Sequence, residues 1–139
     1  MSKKKSSTKY NILLVDDYPP IRHILKKIIE ANPDLQVVGE LHDGLDLLDF
    51  LKRSRAQLVV LDISMPFVDG FEATRRIKQD YPNVKILILS IHNYQEYVDH
   101  ALSIGAEGYL LKEEVDDELL PAISSLRQGK TFISRRLSA

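Results

Sequence analysis

The 139-residue chain is 44% hydrophobic and 28% charged, with a formal net charge of −1, the balance of one folded globular domain rather than a disordered or fibrous chain. It contains no cysteine, which excludes disulfides, thiolate metal sites and a cysteine nucleophile. The near-neutral charge carries no electrostatic footprint for nucleic acid, and the longest early apolar run, Ile12 to Val15, is far too short for a signal-peptide core or a membrane span, so a cytoplasmic protein without membrane contact is expected.

Residues 1–8, with Lys3, Lys4 and Lys5 among serines, have no apolar periodicity and are expected to form a flexible basic tail. The first apolar run, Asn11-Ile12-Leu13-Leu14-Val15, ends in Asp16-Asp17. Ile21, Ile24, Leu25, Ile28 and Ile29 then follow one helical face, with Pro19 and Pro20 suited to the first turn. A second run, Leu35-Gln36-Val37-Val38-Gly39, precedes a helix marked by Leu45, Leu48 and Leu51. The third run, Leu58-Val59-Val60-Leu61, ends in Asp62, and Phe71, Thr74 and Ile77 mark a helix between Asp69-Gly70 and Pro82.

Lys85-Ile86-Leu87-Ile88-Leu89 leads to Ser90, and a fourth helix is expected from about Tyr94 to Ile104, where Gly105 can supply a left-handed cap. Gly108-Tyr109-Leu110-Leu111 precedes Lys112. The last helix, around Asp116 to Gln128, opens on Asp116-Asp117-Glu118, which suits the positive end of the helix dipole. It is expected to bury Leu119, Leu120, Ile123 and Leu126, to hold Pro121 in or near its first turn, and to stop at Gly129.

Short apolar runs with little alternation are the mark of parallel strands covered on both faces, and their alternation with amphipathic stretches predicts an α/β sheet with right-handed crossovers. Chemistry on such a sheet is expected at the carboxyl ends of the strands. Those ends carry Asp16-Asp17, Asp62 and Ser90, with Lys112 following the fifth. They form one site if the strand order brings them together, an order that local pattern leaves open. Two like charges about 4 Å apart repel by roughly 4 kcal/mol at an effective dielectric of 20, so three clustered carboxylates call for a hard divalent cation. Magnesium suits oxygen ligands and phosphate, a carboxylate can act as a nucleophile toward phosphorus, and Lys112 and Ser90 can engage phosphoryl oxygens. The constellation points to phosphoryl transfer.

Asp16-Asp17 after a strand, Asp62-Ile63-Ser64-Met65-Pro66, Ser90 after a strand and Gly108-Tyr109-Leu110-Leu111-Lys112 together resemble the motif set of bacterial two-component response-regulator receivers, over about Lys9 to Gly129. The resemblance implies a flavodoxin-like, doubly wound five-stranded sheet of order 2-1-3-4-5 with five helices. It implies a domain over residues 9–129 and a linker or tail over 130–139. It also implies that Asp62 accepts a phosphoryl group from a sensor histidine kinase. Mg2+ would be held by Asp17, Asp62 and the main-chain carbonyl of Ser64, with Asp16 acting mainly through water. Ser90 and Lys112 would contact the phosphoryl group. Tyr109 would serve with Ser90 as a switch, swinging inward as Ser90 moves. The sequence departs from many receivers in one place: Glu113 stands where proline commonly follows the lysine.

Taken singly, these residues have plainer readings: Asp16-Asp17 as a helix cap, Lys112 as a solvated lysine, Tyr109 as a core aromatic and His92 as a loop histidine. The ordered set outweighs them. An aspartyl-phosphate hydrolase would carry a second acid two positions after the nucleophile, where Ser64 stands; a flavin-type cofactor binder would carry phosphate-cradling glycines after the first strand. The expectation is therefore a signalling protein and not an enzyme. Gly105 to Lys112 and the ending Gly129-Lys130-Thr131-Phe132-Ile133-Ser134 resemble the nitrate-regulator (NarL/FixJ-type) subfamily, whose receivers control transcription through a helix-turn-helix DNA-binding domain. No such domain lies in this chain, so DNA binding by it alone is not expected. A phosphorylation-dependent homodimer is. The alternative is a stand-alone receiver acting by protein–protein contact.

Overall fold

A computed structural model of the chain describes residues 8–65 and 69–138. Nearly all of the basic tail and Pro66 lie outside the described residues. The elements in order are β1 (Tyr10–Val15), α1 (Pro19–Glu30), β2 (Leu35–Leu41), α2 (Leu47–Arg53), β3 (Leu58–Asp62), α3 (Gly70–Asp80), β4 (Lys85–Ser90), α4 (Gln95–Ser103) and β5 (Gly108–Leu111). A 3-10 turn (Lys112–Glu114), α5 (Val115–Arg127), β6 (Phe132–Ile133) and α6 (Arg135–Ser138) follow.

All strand pairs are parallel, in the order β2-β1-β3-β4-β5-β6. Alternate residues of each strand enter opposite layers. Leu13, Val15, Val59, Leu61, Ile86, Ile88, Tyr109 and Leu111 face α2, α3 and α4. Ile12, Leu14, Leu58, Val60, Leu87, Leu89 and Leu110 face α1 and α5. Both sets are buried, which is why the runs read as continuous rather than alternating. Each such side chain adds about 1.5–3 kcal/mol when removed from water.

The flavodoxin-like fold matches the expectation in its five-strand core, with differences at its margins. The sheet gains a sixth strand from the stretch expected as linker or tail: Phe132 and Ile133 pair with Gly108 and Tyr109. A two-residue strand has no periodicity to betray it. Helix α2 begins at Leu47, and Leu47 and Leu51 are its buried residues, whereas Leu45 lies outside it and is 60% exposed. Pro121 is not in the first turn. Helix α5 starts at Val115 and encloses it, which removes the bond its N–H would give to Asp117. Both residues are exposed, so water can serve that carbonyl.

Helix ends follow local chemistry. Asp69 caps α3 by accepting from the Glu72 N–H at 2.9 Å. Gly105, with φ +109, ends α4 in a left-handed turn closed by Ala106 N–H to Ala101 O and Gly105 N–H to Leu102 O. Gly70 opens α3 for a different reason. A Cβ there would lie 2.5 Å from Ile63 Cα and 2.7 Å from Asp62 O, so only glycine lets α3 rest on the end of β3.

Candidate functional site

Four of the loops leaving the carboxyl edge of the sheet start with the same device: a polar side chain at the strand end accepts a hydrogen bond from the N–H two residues later. Asp16 Oδ1 accepts from Tyr18 at 2.9 Å, Asp43 Oδ1 from Leu45 at 2.9 Å, Asp62 Oδ1 from Ser64 at 3.0 Å, and Ser90 Oγ from His92 at 2.8 Å. The residues that turn the chain are thus also the ones that carry polar atoms to the edge. For Asp16 and Asp62 one carboxylate oxygen is used by the turn and the other is left for the pocket, whereas the second oxygen of Asp43 lies 3.5 Å from His42 Nε2.

The order β1-β3 brings the acids together. One carboxylate oxygen from each of Asp16, Asp17 and Asp62 lies within 4.8 Å of the others. Asp16 and Asp62 are 1% and 2% exposed, whereas Asp17 is exposed. Lys112 Nζ reaches across from the end of β5, 3.1 Å from Asp16 Oδ2 and 3.4 Å from Asp62 Oδ2. Burial pushes the Asp62 carboxyl above its ordinary range; the Ser64 N–H opposes this, the Asp16 charge adds to it, and Lys112 opposes it through charge and hydrogen bonding. Despite its closeness to Lys112, Asp16 Oδ2 is buried without a hydrogen bond of proper geometry. A buried carboxylate oxygen without such a bond, beside two further carboxylates, is a donor set of hard oxygens that fits Mg2+.

Ser90 and Tyr109 are joined on the other side of the edge. The Ser90 hydroxyl accepts from the His92 N–H, and the Tyr109 hydroxyl donates to the His92 carbonyl at 2.8 Å. The Tyr109 ring is wholly buried. Burial raises its phenol above the ordinary value; the Ser90 hydroxyl opposes this and Tyr97 adds to it.

The structure therefore brings Asp16, Asp17, Asp62 and Lys112 into one pocket, seats the Ser64 N–H on Asp62, and couples Ser90 to Tyr109. The Lys112–Glu113 peptide is trans, since no cis bond occurs among the described residues. Two contributors escaped the sequence reading. The His92 backbone is the joint between Ser90 and Tyr109. Arg22 donates to the Asp16 carbonyl and also pairs with Glu40 at 3.2 Å. A backbone role leaves no side-chain signal, and Arg22 reads as an ordinary polar position of α1.

Residues 12–124 match the family described as the response regulator receiver domain. The chain is 37% identical over 138 residues to the transcriptional regulatory protein DegU of Brevibacillus brevis, covering 99% of this chain and 58% of that protein. It is 33% identical over 138 residues to the nitrate/nitrite response regulator NarL of Escherichia coli K12, covering 99% and 62%. The chain thus spans less than two thirds of the length of these relatives. Among solved structures, it is similar to a two-component response regulator of the LuxR family from Aurantimonas sp. SI85-9A1, with TM-score 0.89, 31% identity and 94% of each chain covered.

Proposed function

The chain belongs to the family of response-regulator receiver domains, and we propose on that premise that it accepts a phosphoryl group on Asp62 from a sensor histidine kinase and passes the signal on by a change of conformation. The observation that carries this reading is Asp62 itself, a buried carboxylate whose Oδ2 lies 3.4 Å from a lysine ammonium while its Oδ1 is held by the Ser64 N–H. In the step, an Asp62 oxygen bonds to phosphorus as the phosphorus–nitrogen bond of a phosphohistidine breaks and the imidazole leaves with that electron pair.

Lys112 then turns its charge toward the phosphoryl oxygens. Asp17 and Asp62, with the main-chain carbonyl of Ser64 and with Asp16 acting mainly through water, would hold Mg2+. When bound, this ion neutralises charge on the transferring group. A move of Ser90 to donate its hydroxyl to a phosphoryl oxygen would pull on the His92 N–H that it holds. The same loop carries the carbonyl that holds the Tyr109 hydroxyl, so engagement at Ser90 is felt at Tyr109. Only such differential contact shifts a population between two arrangements. The surface that reads the change is built by α4, β5 and α5, and a homodimer is its proposed consequence. Because its relatives are longer and one is named a transcriptional regulator, control of transcription would run through a DNA-binding segment outside these residues, and the chain alone would not retain DNA.

The test is intact mass after incubation with acetyl phosphate and Mg2+, where the leaving group is acetate. The wild type gains one phosphoryl group and Asp62→Asn gains none. Equal incorporation in both sinks the assignment.

A further inference from the structure

We propose that Ser134 and Arg136 are positioning residues for Lys112, a role that rests on the phosphoacceptor reading above. Lys112 projects from the sheet edge on a flexible stem, so the place of its ammonium depends on the backbone that carries it. That backbone is bracketed by the C-terminal segment. On one side, the Leu111 N–H immediately before the lysine donates to Ser134 Oγ at 2.9 Å. Ser134 is fully buried, and its own N–H donates to the Tyr109 carbonyl at 3.0 Å. On the other side, the Arg136 guanidinium pairs with Glu113 and lies 3.0 Å from Glu114 Oε2, the two residues immediately after the lysine.

The bracket has its own anchor. Glu118, buried in α5, accepts from the Arg135 backbone N–H at 3.2 Å and lies 3.4 Å from Arg135 Nε. Without residues 132–136, β5 would be an edge strand, and the Leu111 N–H would face outward with no partner to set its direction. With them, the residues flanking Lys112 are held by a segment 22 or more positions further along the chain. The ammonium is then presented 3.1 Å from Asp16 and 3.4 Å from Asp62. Positioning of this kind acts on rate through alignment, not through contact with the reacting atoms.

The full 139-residue chain is incubated with acetyl phosphate and Mg2+, and the initial rate of phosphoryl gain is measured for wild type, Ser134→Ala, Arg136→Ala and the charge exchange Glu113→Arg with Arg136→Glu. Melting curves and the NMR signal of the Lys112 side-chain ammonium are recorded on the same samples without phosphodonor. The rate is expected to fall about fivefold to tenfold in Ser134→Ala, the loss of one bond to a buried N–H. A fall of about twofold to fivefold is expected in Arg136→Ala, an exposed pair. The Lys112 signal should move in both, and the charge exchange, which rebuilds the pair at position 113 but not the one to Glu114, should restore rate and signal together in part. Arg136 lies on the surface, so that variant folds even if Ser134→Ala does not. Unchanged Lys112 signals, unchanged rates, or an exchange that restores melting but not rate each overturn the positioning role while leaving Asp62 as the acceptor. A wild type that gains no phosphoryl group removes the phosphoacceptor reading and the positioning role with it.

Discussion

The two halves of the carboxyl edge are built on opposite principles. The β1/β3 half gathers Asp16, Asp17 and Asp62 within 4.8 Å and sets Lys112 against two of them, leaving a buried Asp16 oxygen without a hydrogen bond. The β4/β5 half is neutral and closed: Ser90, the His92 backbone and Tyr109 are linked by two bonds of 2.8 Å. Unbalanced negative charge is kept where an arriving cation can rebalance it. A satisfied neutral chain is stiff, and suits the transmission of a displacement rather than the making of a bond.

The largest effect on this contrast should come from Lys112→Ala, which leaves two buried carboxylates facing each other. Urea unfolding at pH 7 without magnesium should register a loss of about 2–3 kcal/mol. The pH dependence has a definite sign. Folded Asp62 already holds its proton above the ordinary carboxyl range, and losing the lysine raises it further. The folded state then binds that proton more tightly than the unfolded chain. Its contribution to stability is fully present below the unfolded value and is lost as pH rises through the folded one. The deficit of Lys112→Ala should therefore shrink on acidification. A deficit that stays constant on acidification down through the ordinary carboxyl range would show that Lys112 does not balance Asp62.

Next in size, Asp62→Asn should stabilise the metal-free protein by about 1 kcal/mol through relief of crowding. Magnesium should then raise the melting temperature of the wild type more than that of the variant. On the neutral half, Tyr109→Phe should cost about 1 kcal/mol, the worth of one buried hydrogen bond, and leave the magnesium response untouched. A changed magnesium response would mean that the two halves are one unit. The smallest effect belongs to Asp17→Asn. Asp17 is exposed, so metal-free stability should move by less than about 0.5 kcal/mol. Magnesium stabilisation should nevertheless fall, which separates a ligand from a structural acid.

Much of this was legible in the chain. The five main strands lie within two residues of their expected bounds, because the runs of β1, β3, β4 and β5 are buried on both faces and the edge run of β2 still carries Leu35, Val37 and Val38. Gly105 and Gly129 end their helices as expected, both with positive φ. The acids, Ser90 and Lys112 were legible as an ordered set. Leu45 and Pro121 were misplaced for local reasons: a leucine at helical spacing can sit in the loop before a helix, and a proline on an exposed face is tolerated inside one. His92 and Ser134 were not legible in their present roles. One acts through its backbone and the other through a bond to Leu111, 23 positions away.

Taken alone, the amino-acid sequence determined what depends on near neighbours: which runs become buried strands, which faces of the helices are apolar, where glycine stops a helix, and which polar residues stand at the strand ends. Tertiary structure alone decided which ends meet. Placing β1 beside β3 puts Asp16 next to Asp62, 46 positions on, and the further order β3-β4-β5 carries Lys112 back over both. Which strands become neighbours is settled by how whole helices cover the two faces of the sheet, a condition that no short stretch of residues contains. The same holds for β6, whose two residues find a place only because β5 would otherwise be an open edge.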